Sequence, residues 1–105
     1  VCNIPMAPGS TLQDYQAQFD QQIIPFLKQF QPDLLLVSAG YDATAADPLA
    51  GVNLMPMDYG IFTTACKKIT PRILFGLEGG YEYKALSQSV IATIEAALTH
   101  SEKRD

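Results

Sequence analysis

Basic residues are few in this chain. Seven lysines and arginines stand against eleven acidic residues, for a formal net charge of −4. They are scattered from Lys28 to Arg104 without forming a stripe, which argues against direct nucleic-acid binding through this segment. Histidine is scarcer still, with His100 alone, and cysteine is limited to Cys2 and Cys66. Neither a zinc knuckle nor a disulfide framework can be drawn from such a set, so both cysteines read as reduced core residues of a cytoplasmic protein. No apolar run approaches the roughly 20 residues that span a bilayer, and no charged-then-apolar leader opens the chain. The expectation is a soluble, untargeted protein with no membrane partner. A start methionine is also missing: Val1-Cys2-Asn3-Ile4-Pro5 reads as the tail of a strand, and the expected context is a piece of a longer polypeptide. A chain of 105 residues is one domain at most and can bury only about two-thirds of its unfolded surface.

What is present is organised around Pro32-Asp33-Leu34-Leu35-Leu36-Val37-Ser38-Ala39-Gly40-Tyr41-Asp42. Leu34 to Val37 run without polar alternation, as in a strand covered on both faces, and the run stops at a small-residue turn that releases a carboxylate. Asp42 thus stands just past the carboxyl end of a buried strand, the edge at which open α/β sheets bind ligands. A plain turn cap is the competing reading of Gly-x-Asp.

Upstream, Ser10 and Gln13 make a capping-box pattern that starts a helix near Thr11. Leu12, Tyr15, Phe19, Ile23, Phe26 and Phe30 give it one apolar face, with a kink expected between Gln21 and Pro25. Pro32 ends it. Gly40 to Asn53 has turn residues but no period, which predicts a long ordered loop of the functional kind. Pro56 opens a second helix with a stripe of Ile61, Ala65 and Ile69, stopped by Pro71. Arg72 to Leu77 is a second buried-strand run ending in Glu78-Gly79-Gly80-Tyr81. The last helix, about Tyr83 to His100, turns Leu86, Val90, Ile94, Ala97 and Leu98 inward, and 101–105 form a solvated tail. Strand–helix alternation of this kind predicts an α/β fold with a parallel sheet and right-handed crossovers, so that all strands end on one edge. Asp42 and Tyr81 then share that edge. A carboxylate can ligate a metal, and a phenol that is neutral at working pH can donate to a developing oxyanion. Gly-Gly-Tyr is equally compatible with a tight turn and a packed ring.

Val37-Ser38-Ala39-Gly40-Tyr41-Asp42-Ala43, then Asp47-Pro48-Leu49, then Leu77-Glu78-Gly79-Gly80-Tyr81 resemble in order and spacing the C-terminal third of the zinc-dependent histone deacetylase family, above all its class II branch and the acetylpolyamine amidohydrolases. Asn3-Ile4-Pro5, Gly9 and Phe30-x-Pro32-Asp33 fit as well, so the resemblance covers nearly the whole chain. It implies the C-terminal portion of an arginase/deacetylase-like α/β domain, with zinc (Zn2+) as cofactor and an acyl-lysine peptide or acetylated polyamine as substrate. By the same resemblance, Asp42 is a zinc ligand, Tyr81 is the oxyanion donor, Leu49 is a wall of the substrate tunnel, and Gly80 lies beside its floor. Asp47 and Pro48 fix the loop that carries Leu49. One vertebrate subgroup with histidine at the Tyr81 position is nearly inactive on acetyl-lysine; this chain has the tyrosine of the competent type. Thr44 stands where many bacterial relatives have histidine, a departure expected to affect loop packing only.

A catalytic zinc needs about three protein ligands and an open position. The family's Asp-x-His pair and its proton-handling histidines have no counterpart in this sequence, and His100, near the end of the last helix, suits the helix dipole rather than a metal. The expected active site is therefore incomplete, and the cut sheet edge is expected to drive self-association. The alternative is a stand-alone, non-catalytic interaction module or relic of the same fold. A flavodoxin-like phosphate binder is disfavoured because no strand leads through a Gly-rich loop into a helix at phosphate-binding spacing.

Overall fold

The computed structural model describes residues 1–49 and 51–99. The expectations placed on His100 and on the tail 101–105 lie outside the described residues.

The first helical segment is a composite: α1 (Leu12–Gln18), a π-helical turn (Phe19–Ile23) and α2 (Ile24–Phe30) follow one another without a break. Its start is one residue later than the sequence pattern indicates. Thr11 rather than Ser10 caps it, and the capping-box partner is Asp14, whose carboxylate accepts from the Thr11 backbone N–H at 2.9 Å. The Ser10 hydroxyl instead donates back to the Ala7 carbonyl. The π turn accommodates an extra residue per turn, so side chains beyond it slip around the axis. Ile23, Ile24 and Leu27 are accordingly half-buried, while Phe26 and Phe30, expected on the inner face, are exposed. Gln31 closes the segment in the left-handed region at φ 57°.

Strand β1 (Leu35–Ala39) and strand β2 (Ile73–Leu77) pair in parallel, with Leu35 opposite Ile73 and Ala39 opposite Leu77. The helix between them is α3 (Asp58–Lys67), and α4 (Tyr83–Leu98) follows β2. This is the α/β arrangement the alternation predicts, with two corrections. Residues 1–5 form no strand, so among the described residues the sheet has two strands and the chain leads with a helix. Nor are the strands covered on both faces. Leu35, Val37, Ala39, Ile73 and Phe75 are buried or half-buried on the face where Ala39 and Phe75 share a cavity with Val90 and Thr93 of α4, but Leu36 and Leu74 alternate to the other face and are 66% and 63% exposed. An unbroken apolar run reports that both faces are greasy; it does not supply the cover.

The helices bury different faces from those the apolar stripes indicate. Ile61 and Ile94 are exposed, whereas Thr63, Ala85, Ser89 and Thr93 are buried. Small residues also mark the place where α3 crosses α4. There Gly60 comes so close to α4 that a Cβ on it would stand 3.1 Å from the Ala92 carbonyl oxygen. Only short side chains fit such an approach. The Thr63 and Thr93 hydroxyls donate to the carbonyls of Tyr59 and Ser89, one turn back, whereas the buried Ser89 hydroxyl has no partner among the described residues. On its other side α3 receives α1 and the π turn through aromatic rings, with Phe62 stacked on Phe19 at 4.9 Å between centroids and tilted against Tyr15 at 5.6 Å. Cys2 is exposed rather than a core residue, and Cys66 is partly buried. Burial raises the Cys66 thiol above its ordinary pKa. No helix among the described residues is long and apolar enough to cross a membrane.

Candidate functional site

The parallel register ends β1 and β2 side by side, at Ala39 and Leu77, so the segments that follow leave the sheet from the same edge. Two backbone bonds continue the pairing past the strands: Glu78 N–H to the Ala39 carbonyl at 2.9 Å, and Tyr41 N–H to the Gly79 carbonyl at 2.7 Å. Gly40 to Asp42 and Gly79 to Tyr81 are thereby held alongside one another.

That placement brings Asp42 and Tyr81 together at Gly79. A Cβ built on Gly79 would stand 2.9 Å from the Asp42 Oδ2 and 3.3 Å from the Tyr81 Oη. The carboxylate and the phenol therefore converge on a space that exists because residue 79 has no side chain. Gly40 flanks the same carboxylate, its own virtual Cβ lying 3.2 Å from the Asp42 Oδ1. Tyr81 as a whole is 54% exposed.

Gly80 serves a different geometry. Its φ of +150° is one that L side chains rarely adopt, and a Cβ there would meet Leu86 Cδ1 at 2.7 Å and Tyr41 Cβ at 3.3 Å. It lets the chain turn tightly between the strand end and α4, whose first turn is capped by Glu82 accepting from the Ala85 N–H at 2.8 Å. Leu49 is 66% exposed on the loop that follows Asp42.

That loop is ordered by its own bonds. Thr44 bridges to Leu54, Ala45 N–H donates to the Leu54 carbonyl, and Leu54 N–H donates to the Ala43 carbonyl. Asn53 N–H reaches the Ser10 carbonyl at 2.7 Å. Asp47, only 7% exposed, accepts from the Leu49 N–H on Oδ1 at 3.0 Å and from the Tyr81 N–H on Oδ2 at 2.8 Å. The sequence pattern ties Asp47 to Leu49; its grip on Tyr81 spans 34 residues and no local spacing announces it.

Two further tyrosines surround the Asp42 end. Tyr59 packs its ring on Tyr41 at 4.7 Å and accepts from the Ala43 N–H at 3.3 Å. Burial, more than the nearby Asp42 charge, raises the phenols of both Tyr59 and Tyr15 above their ordinary pKa. Tyr15 belongs to the apolar stripe of the first helix, and no sequence pattern marks Tyr59 for a role. Glycine at position 79 carried a readable signal, since paired glycines before a tyrosine at a strand end mark a close approach.

The donor set around Asp42 can contribute one carboxylate to a cation, in a gap left open by Gly79. Among the described residues no three His, Cys, Asp or Glu side chains gather as a complete metal site. The fit is thus that of one ligand.

A family model for the histone deacetylase domain matches residues 1–97. An uncharacterized protein of Synechocystis is 49% identical over 98 residues, which is 93% of this chain and 32% of that protein. The chloroplastic histone deacetylase 10 of Oryza sativa is 39% identical over 101 residues, 91% of this chain and 23% of that protein. Among solved structures, the HDA15 HD domain superposes with a TM-score of 0.84 at 32% identity, covering 88% of this chain and 26% of that one. The histone deacetylase Clr3 gives 0.84 at 31% identity, covering 88% and 16%. This chain spans about a third or less of the length of these relatives.

Proposed function

This chain belongs to the histone deacetylase family, and from that premise we propose that it carries part of the active site of a zinc-dependent amidohydrolase acting on acyl-lysine side chains or acetylated polyamines. The observation that supports the reading most is the convergence of the Asp42 carboxylate and the Tyr81 hydroxyl on the side-chain-free space at Gly79. Asp42 would hold the zinc together with ligands from outside this chain. When bound, the metal supplies Lewis-acid polarisation of the amide carbonyl and a more acidic bound water. Tyr81 donates its phenolic hydrogen to the carbonyl oxygen as charge develops there, a donor that gains strength as the transition state forms. Its hydroxyl stands at the gap beside Gly79 on a half-exposed residue, and Leu49, bonded to the same carboxylate that grips the Tyr81 amide, offers an apolar surface for the acyl-bearing chain.

A non-catalytic module is the second reading, favoured by the absence of a complete ligand cluster among the described residues. Full-length protein with Tyr81→Phe separates the two. The substitution keeps the ring and removes one donor. The enzyme reading expects normal zinc content and a loss of about 10²–10³ in kcat on an acetyl-lysine or acetylpolyamine substrate, by analogy with loss of one oxyanion-hole donor. Near-parental turnover would refute the role given to Tyr81, and a full-length parent without zinc or turnover would establish the second reading.

A further inference from the structure

The ring of Tyr81 has little cover. Its side chain is more than half exposed. It follows two glycines, which offer no side chains of their own to pack against its ring, and Gly80 sits at φ +150°. Something other than packing must fix where the hydroxyl stands. The bond on the residue's own amide is the 2.8 Å contact to the Asp47 carboxylate. That carboxylate is itself immobilised: it is 7% exposed, its backbone N–H donates to the Thr44 carbonyl at 3.1 Å, and its other oxygen accepts from Leu49 at 3.0 Å. One buried group thus joins the two segments that carry Leu49 and Tyr81.

We infer that Asp47 is the positioning residue of this site: its carboxylate sets where the Tyr81 hydroxyl stands and locks the Leu49 surface in register with it. The inference rests on the role proposed above for Tyr81. Physically, the two oxygens act as a double acceptor for two backbone donors that come from different segments, so the distance between the apolar wall and the oxyanion donor is fixed by one side chain. A displacement of about 1 Å at a reacting centre can cost on the order of 10²-fold in rate, so a tether remote from the chemistry is read directly in kcat.

Asp47→Asn in the full-length protein tests this. The amide keeps one acceptor oxygen and turns an N–H group toward the other backbone donor, so one arm of the clamp is broken at nearly constant volume. With an acetyl-lysine peptide as probe, kcat should fall by about tenfold to a hundredfold at unchanged zinc content. In a Tyr81→Phe background the same change should alter kcat by less than about threefold, because there is no hydroxyl left to misplace. A rise in KM, from the loosened Leu49 arm, should persist in both backgrounds. Asp47→Glu, which keeps both acceptor oxygens on a longer stem, should retain more kcat than Asp47→Asn. If Asp47→Asn does not fold, the loss in Asp47→Glu, absent in the Tyr81→Phe background, decides the matter. An equal fractional loss of kcat in both backgrounds, or no loss in either, overturns the positioning role while leaving Tyr81 in place. A Tyr81→Phe enzyme that turns over like the parent overturns both.

Discussion

The phenol of Tyr41 donates to the hydroxyl of Thr93 at 3.0 Å, joining the residue beside Asp42 to the middle of α4 across 52 positions of sequence. Both residues are buried. Thr93 passes its own hydrogen to the Ser89 carbonyl at 3.0 Å, so the contact is the first link of a short chain that ends inside the helix.

Tyr41→Phe therefore removes one net hydrogen bond without stranding the Thr93 donor, and the expected cost is about 1 kcal/mol of stability. A urea midpoint lowered at constant m-value, with metal content of the full-length protein unchanged, is the expected result. A loss of metal would mean that the Tyr41–Thr93 bond is needed to hold the neighbouring Asp42 in place.

Gly79→Ala tests the space between Asp42 and Tyr81. The added methyl would stand 2.9 Å from one group and 3.3 Å from the other, and the first distance is too short to survive without movement. Because Gly79 does not occupy the left-handed region, backbone strain does not confuse the result. Zinc retention and turnover of the full-length protein should each fall tenfold or more, on the order expected for displaced site groups, while the melting temperature stays within a few degrees. Unchanged turnover would show that the gap is not where substrate or metal sits.

Alkaline pH should weaken the fold. Burial raises the Tyr59 phenol, with Asp42, Tyr15 and Tyr41 adding to the rise and the Ala43 N–H opposing it, and Tyr15 is raised for the same leading reason. Unfolded tyrosine loses its proton near pH 10, where the folded rings still hold theirs, so the native state binds more protons there. Their contribution is complete below that pH and is lost as pH rises above it. Denaturant midpoints taken at pH about 9 and about 11 should show the fall, and Tyr59→Phe should make it shallower; an identical slope in the variant would assign the loss to other groups.

Produced alone, the 105-residue chain should self-associate. Leu36 and Leu74 stand largely exposed on the same sheet face, one on each strand of a pair whose partners are in register. An apolar sheet face of this kind seeks cover. Sedimentation should show dimers or larger species that Leu36→Lys with Leu74→Lys returns to monomer, whereas a clean monomer of the parent at high concentration would count against it.

The sequence made the sheet edge legible because the evidence for it is local. Two apolar runs each end in glycine and a polar or aromatic residue, and a helix-length crossover between them permits little but parallel pairing. The helix faces were less legible. Period identifies a stripe, yet the buried residues of α3 and α4 include the small Thr63, Ala85, Ser89 and Thr93, and Gly60 lets the two helices approach at Ala92, so size rather than hydrophobicity alone decides the packed faces. The π turn at Phe19–Ile23 displaced Phe26 and Phe30 from the face that a regular helix would give them. The double grip of Asp47 joins residues that only the folded chain makes neighbours.

That grip falls on the backbone amide of Tyr81 and ignores its side chain. Every amino acid except proline brings the same N–H to position 81. The frame of the site is therefore indifferent to the functional group mounted on it, and a lineage carrying this frame can exchange a phenol for an imidazole or an aliphatic chain without having to rebuild the loop. Chemistry at this edge can be gained, altered or lost through a single codon while the architecture that displays it is inherited intact.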